Sequence, residues 1–222
     1  MGRLTKLYDK YKTDKGTVFF HAHNYGEFYE EYFKHIREKM GGHAGDKIKI
    51  LEIGVLNGSS IKAHEEYFGN CEIYGIDIDV KCKQYESDNV KIFICDSSND
   101  DSLIDFKRNI GDTKFDIILD DGSHRSKDQW RALINLFDLV NDGGIYIIED
   151  LHMNKYFNDE NPIQSPCACL PLRFKSEYLT NEETILLYNK IDKIIIWSRS
   201  NEKMNLVYPP ISVTGIITFK KK

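Results

Sequence analysis

From residue 48 onward the chain alternates short apolar runs with stretches of helical spacing. IKILEI (48–53), EIYGIDID (72–79), VKIFICD (90–96), KFDIILDD (114–121) and NDGGIYIIED (141–150, a turn and then a strand) are the apolar, β-branched runs. Between them lie NGSSIKAHEEYF, NDDSLIDFKRNI and SKDQWRALINLFDLV; the last spaces Trp130, Leu133, Ile134 and Phe137 along one helical face. Strands that are continuously apolar rather than alternating belong to a parallel sheet covered on both faces.

The C-terminal part breaks that rhythm. After a helix around NEETILLYNKI come KIIIWSRS and ISVTGIITFK, joined by a connection containing Tyr208-Pro209-Pro210. That connection is too short for a helical crossover, so the two strands pair antiparallel. The reading is thus an α/β, Rossmann-like, mostly parallel sheet with helices on both faces and a C-terminal antiparallel β-hairpin. Residues 1–47 form a helical N-terminal extension, with a helix from about Gly26 to Met40, and residues 48–222 one compact unit. Residues 151–170 read as a long irregular segment directly after the fifth strand; a loop of that length is commonly a lid or binding loop.

Composition excludes several classes. The net charge of −5 argues against a nucleic-acid partner, which would need a basic face. No apolar stretch is long enough to span a bilayer, and the opening MGRLTKLYDKYKTDKG carries neither a signal core nor a myristoylation pattern. A cytoplasmic protein is expected. The five cysteines read as reduced thiols, and Cys167 and Cys169 form only a CxC with no second pair for zinc. Homo-oligomerisation is left open.

Candidate chemistry gathers at the strand ends, where open parallel sheets bind ligands. The first strand ends in Glu52-Ile53-Gly54-Val55-Leu56-Asn57-Gly58, a glycine turn opening a helix with an electropositive amino end. Its G-x-x-x-G spacing is not the G-x-G-x-x-G of dinucleotide binders, which disfavours a nicotinamide dehydrogenase. The second strand ends in Asp77, able to accept from both hydroxyls of a ribose. The third ends in Cys95-Asp96-Ser97, able to read an adenine edge.

Three strand ends carrying these groups in this order resemble the class I S-adenosylmethionine (SAM) dependent methyltransferases. The resemblance implies a seven-stranded sheet ending in an antiparallel hairpin. It also implies SAM as cofactor, with Glu52, Gly54 and Gly58 near the methionine part, Asp77 at the ribose, and Asp96 with Ser97 at the adenine.

The fourth strand delivers Asp120-Asp121-Gly122-Ser123-His124 to the same edge, and the fifth delivers Glu149-Asp150. Four carboxylates converging on one edge repel unless a cation sits among them. An oxygen-rich set without cysteine or a second histidine favours a hard divalent ion such as Mg²⁺. Together, DDGSH and YIIEDLH resemble the metal-dependent sugar O-methyltransferases of macrolide biosynthesis, the mycinamicin and tylosin type, and related bacterial polysaccharide enzymes. The likeness runs from TDKG at 13–16 through EDLH at 149–152. It implies Asp121, Glu149 and Asp150 as metal ligands, His124 as general base, and Asp120 in a supporting place. His152 could orient a ligand.

The expected chemistry is methyl transfer to a sugar hydroxyl, on a surface polysaccharide or on a nucleotide- or natural-product-linked sugar. A metal would stabilise the developing alkoxide, and an imidazole suits the proton transfer at neutral pH. The acceptor could instead be a catechol-like or other small vicinal diol. In another class, the chain would be a SAM-binding module without catalysis. TDKG, with His21, His23 and Tyr25 beyond it, carries no assignable individual roles.

Overall fold

A computed structural model describes residues 1–19, 22–40, 47–151, 153, 161–200 and 211–220. Two helices come first, α1 (Arg3–Tyr11) and α2 (Gly26–Met40). The alternating part follows as β1 (Ile48–Ile53), α3 (Ser59–Phe68), β2 (Cys71–Asp77), β3 (Val90–Ile94), α4 (Asp100–Ile110), β4 (Phe115–Asp120), α5 (Ser126–Leu136) and β5 (Val140–Ile148). The chain then forms α6 (Pro166–Leu172), α7 (Asn181–Lys190), β6 (Ile191–Ser200) and β7 (Ile211–Phe219).

The strands make one seven-stranded sheet in the order β3-β2-β1-β4-β5-β7-β6. β1 to β5 are mutually parallel; β7 runs antiparallel to both β5 and β6. The order reverses between β1 and β4, and the crevice outside the carboxyl ends of those two strands is where such sheets hold ligands.

Both faces are buried, as continuous apolar strands require. Ile50, Ile73, Ile92, Ile117, Leu119 and Ile147 pack against α1, α2 and α3, while Leu51, Ile53, Tyr74, Ile118, Tyr146 and Ile148 pack with residues of α4, α5, α6 and α7. Neighbouring residues go to opposite faces, so the sheet partitions the core in two. The N-terminal extension belongs to the first half: Leu4, Tyr8, Tyr25, Tyr29 and Phe33 are at most 1% exposed and lie in one cluster with the strands.

Three local features differ from the sequence reading. α1 arises in RLTKLYDKY, where Leu4, Leu7 and Tyr8 share a face and are buried. The segment 151–170 contains the start of α6, whose Ser165 cap accepts from Ala168 N with Pro166 in the first turn. β5 begins at Val140 rather than after the glycines: its pairing with β4 shifts register between Phe115 and Ile117, and Gly143 takes φ +81°. The five cysteines are free thiols. Among the described residues, no helix is long and apolar enough to cross a membrane.

Candidate active site

The reversal point is stitched by backbone. Gly54 N donates to Ile76 O at 2.9 Å, Asp121 N to Ile53 O at 2.9 Å, and Glu149 N to Asp120 O at 2.9 Å. These bonds hold the β1, β4 and β5 ends side by side. Gly54 sits at φ +87°, and a Cβ there would run into the carbonyl of Asp121. Its glycine is therefore needed for two loops to touch. Gly58 (φ +67°) caps α3 and lies under the ring of Tyr85, which a Cβ would meet at 2.8 Å.

Asp77 closes the glycine turn. Its Oδ2 accepts from Val55 N at 2.8 Å and Leu56 N at 3.0 Å, and its Oδ1 from Asp79 N at 2.9 Å. Burial alone would raise this carboxyl; the backbone bonds from Asp79, Leu56 and Val55 outweigh it and hold it below its usual range. Asp96 is exposed at the end of β3, accepting from Ser98 N at 2.9 Å and Ser98 Oγ at 2.7 Å. Ser97 lies close to the β4 loop, its Oγ 3.5 Å from where a Gly122 Cβ would be.

Glu52 is entirely buried beneath the turn. It accepts from Ser60 Oγ and stands 3.3 Å from Nδ1 of buried His64, whose Nε2 meets Tyr8 Oη at 2.8 Å. Burial pushes the Glu52 carboxyl up, but His64, Lys15 and Ser60 together bring it below its ordinary value. Glu52 thus anchors the turn from inside and links it to α1.

At the β4 and β5 ends, Asp121, His124 and Asp150 offer ligand atoms that all lie within 4.8 Å of one another. His124 (φ +60°) and Asp150 (φ +52°) both occupy left-handed backbone. Strain of this kind persists only where surroundings impose it, and it concentrates at functional sites. His124 Nε2 is 3.8 Å from Asp150 Oδ2, and its buried Nδ1 has no hydrogen-bond partner among the described residues. Two carboxylates and an imidazole in reach of one point fit a hard or borderline divalent cation.

Glu149 stands beside this group with a donor on each oxygen: Oε1 accepts from Tyr29 at 3.0 Å and Oε2 from Lys15 at 2.9 Å. Burial, then the neighbouring Asp121 charge, push its carboxyl well up, with Lys15 opposing. Asp120 lies outside the cluster, buried, with Oδ1 accepting from Gly122 N at 3.2 Å.

The N-terminal extension supplies groups the sequence left unassigned. Lys15 bonds both Asp121 and Glu149; Tyr25 donates to Asp150 Oδ1 at 2.7 Å; His23 lies 3.8 Å from the same oxygen and is held by Ser212 Oγ at 2.8 Å. A cavity of about 70 Å³ separates this segment from the glycine turn, lined by Asp14, Lys15, Gly54, Asn57, Ser60 and Asp121. His21 and His152 lie outside the described residues. A roomier hollow of about 810 Å³, lined by Tyr32, Gly143 and Lys220, opens at the opposite end of the sheet, away from all of these groups.

Sheet order, hairpin and glycine turn define the Rossmann-like fold of the SAM-dependent methyltransferases. Its overlay on the MycE methyltransferase from the mycinamycin pathway, solved with Mg and SAH, has a TM-score of 0.71 at 22% identity, covering 99% of this chain and 55% of that one. No protein-family model matches the chain. In sequence it is similar to sugar O-methyltransferases. It is 34% identical over 136 residues to the 8-demethyl-8-alpha-L-rhamnosyl tetracenomycin-C 2'-O-methyltransferase of Streptomyces olivaceus, covering 58% of this chain and 33% of that protein. It is 27% identical over 180 residues to the demethylmacrocin O-methyltransferase of Streptomyces fradiae, covering 76% and 42%. The matched segments thus cover well under half the length of these curated relatives.

Proposed function

We propose that this chain is a SAM-dependent, divalent-cation-dependent O-methyltransferase acting on a sugar hydroxyl. One observation carries the reading: Asp121, His124 and Asp150 converge within 4.8 Å at the strand-order reversal, against the glycine turn. The named relatives methylate glycosylated natural products, which supports a sugar acceptor. A nucleotide-linked or surface-polysaccharide sugar is equally compatible with this cluster, and a catechol-like diol is the runner-up.

In this reading Gly54, Gly58 and the buried Glu52 shape the seat of the methionine portion. Asp77 accepts from the ribose hydroxyls, and Asp96 and Ser97 face the adenine. Asp121, Glu149 and Asp150 hold the cation, with Mg²⁺ the natural choice for three carboxylates. When bound, SAM supplies an electrophilic methyl group and the cation supplies charge stabilisation at the acceptor oxygen. The chain's own part would be alignment and proton removal, with His124 the residue placed to take the proton of the acceptor hydroxyl.

The closeness of His124 to Asp121 and Asp150 favours a second role for it, as a ligand. His124→Asn separates the two, because asparagine tolerates the left-handed backbone that alanine would strain. A base predicts kcat lower by about 10²–10⁴-fold with Mn²⁺ affinity kept; a ligand predicts weakened Mn²⁺ binding.

The reading is tested by mass-spectrometric detection of methyl transfer from SAM to a panel of glycosides, nucleotide sugars, glycans and catechols. Transfer to a sugar should vanish in EDTA, return with Mg²⁺, and be lost in Asp121→Ala. Undiminished transfer in chelator removes the cation from the account, and transfer to catechols alone replaces the acceptor class.

A further inference from the structure

The four-carboxylate edge does hold a cation, and it belongs to the chain. Lys15 of TDKG is 2% exposed in its side chain, bonds Asp121 Oδ2, sits 2.9 Å from Glu149 Oε2 and lies 3.8 Å from Asp14 Oδ1. Glu149 is itself 2% exposed. A lysine this buried is rare unless paired, and an unpaired buried carboxylate is costlier still.

The ammonium is also built in rather than draped. The backbone around it is pinned by His23 N to Asp14 O at 2.7 Å, Asn24 N to Gly16 O at 2.9 Å and Gly26 N to Lys15 O at 3.2 Å.

Resting on the metal reading above, we infer that Lys15 is a positioning residue of the cation site. It clamps one oxygen each of Asp121 and Glu149, cancels part of their repulsion, and holds the two carboxylates in place where they would face the divalent ion. The clamp does not exhaust them, because each carboxylate keeps lone pairs beyond the one given to the ammonium. Lys15 and the cation therefore share the acids rather than exchange for one another. TDKG is thereby assigned a place in the active centre, supplied from 106 residues away along the chain.

The test compares Lys15→Met, Lys15→Arg and the double variant Lys15→Met/Glu149→Gln with wild type, using Mn²⁺ titration followed by electron paramagnetic resonance and thermal unfolding in EDTA. Lys15→Met should bind Mn²⁺ about 10–100-fold more weakly, the usual effect of losing a group that orients metal ligands. In EDTA it should melt roughly 10 °C lower, as expected for breaking a buried pair in a chain of this size. Lys15→Arg should recover most of the Mn²⁺ affinity. Glu149→Gln added to Lys15→Met should recover much of the melting temperature, which keeps the question open to measurement if the single variant is too unstable. Unchanged or tighter Mn²⁺ binding in Lys15→Met, with wild type binding normally, overturns the clamp and makes Lys15 a competitor. A wild type that binds no Mn²⁺ contradicts the metal reading itself.

Discussion

Asp120 shows how adjacent acids acquire different work. Asp121 turns into the cluster under Lys15, whereas Asp120 is 3% exposed, and its Oδ2 has no hydrogen-bond partner among the described residues. Burial pushes its carboxyl up to about 7. The unfolded chain would titrate it near 3.9. Between those values the folded protein binds the proton and the unfolded chain does not. Stability is therefore lost as pH rises from about 4 and levels off above about 7. Asp120→Asn removes that dependence. In urea unfolding with EDTA present, the variant should gain on wild type by a few kcal/mol between pH 5 and pH 8. A constant difference between the two proteins across that range would show that Asp120 does not carry this titration. The sequence placed Asp120 outside the ligand set but gave no means of seeing that it is buried, because neighbouring residues of DDGSH look alike until the sheet sorts them to opposite sides.

At the scale of elements, the site is a contact between two loops. Gly54 at the end of β1 and Asp121 at the end of β4 meet backbone to backbone. Gly54→Ala combines an unfavourable φ with a steric collision against the Asp121 backbone carbonyl. It should cost about 1–3 kcal/mol from backbone strain alone, read as a lowered urea midpoint, and should weaken SAM binding because the turn moves. Wild-type stability and affinity in this variant would mean the loops are not coupled.

The strands, their parallel order and the closing hairpin were legible because apolar run length and connection length state them directly. α1 carried its signal in the spacing of Leu4, Leu7 and Tyr8, yet nine residues make a short periodic stretch. α6 was hidden by Pro166 and Pro171, which read as breakers although one of them opens the helix.

For the whole molecule, the acids of the site were readable as residues at strand ends, and their partners were not. Lys15, Tyr25 and Tyr29 reach Asp121, Asp150 and Glu149 across 106, 125 and 120 residues. Only packing of the extension onto the sheet makes those pairs, and no local spacing encodes it. The sequence could call for a cation among the carboxylates without saying that the chain brings one. The extension and the sheet are consequently linked at two points, with Tyr8 reaching the glycine turn through His64 and Glu52 while Lys15 reaches the acid cluster.

The central claim is that the crevice between β1 and β4 is a SAM site whose cofactor half is independent of the cation half. Isothermal calorimetry in EDTA tests it most directly. The account predicts stoichiometric binding of SAM or its demethylated product to the full chain, at least tenfold weaker binding in Asp77→Ala, which loses the ribose acceptor and the bonds closing the turn (each such bond to a charged group being worth about 1.5–3 kcal/mol), and no binding of NAD. Tight NAD binding with none of SAM would contradict it.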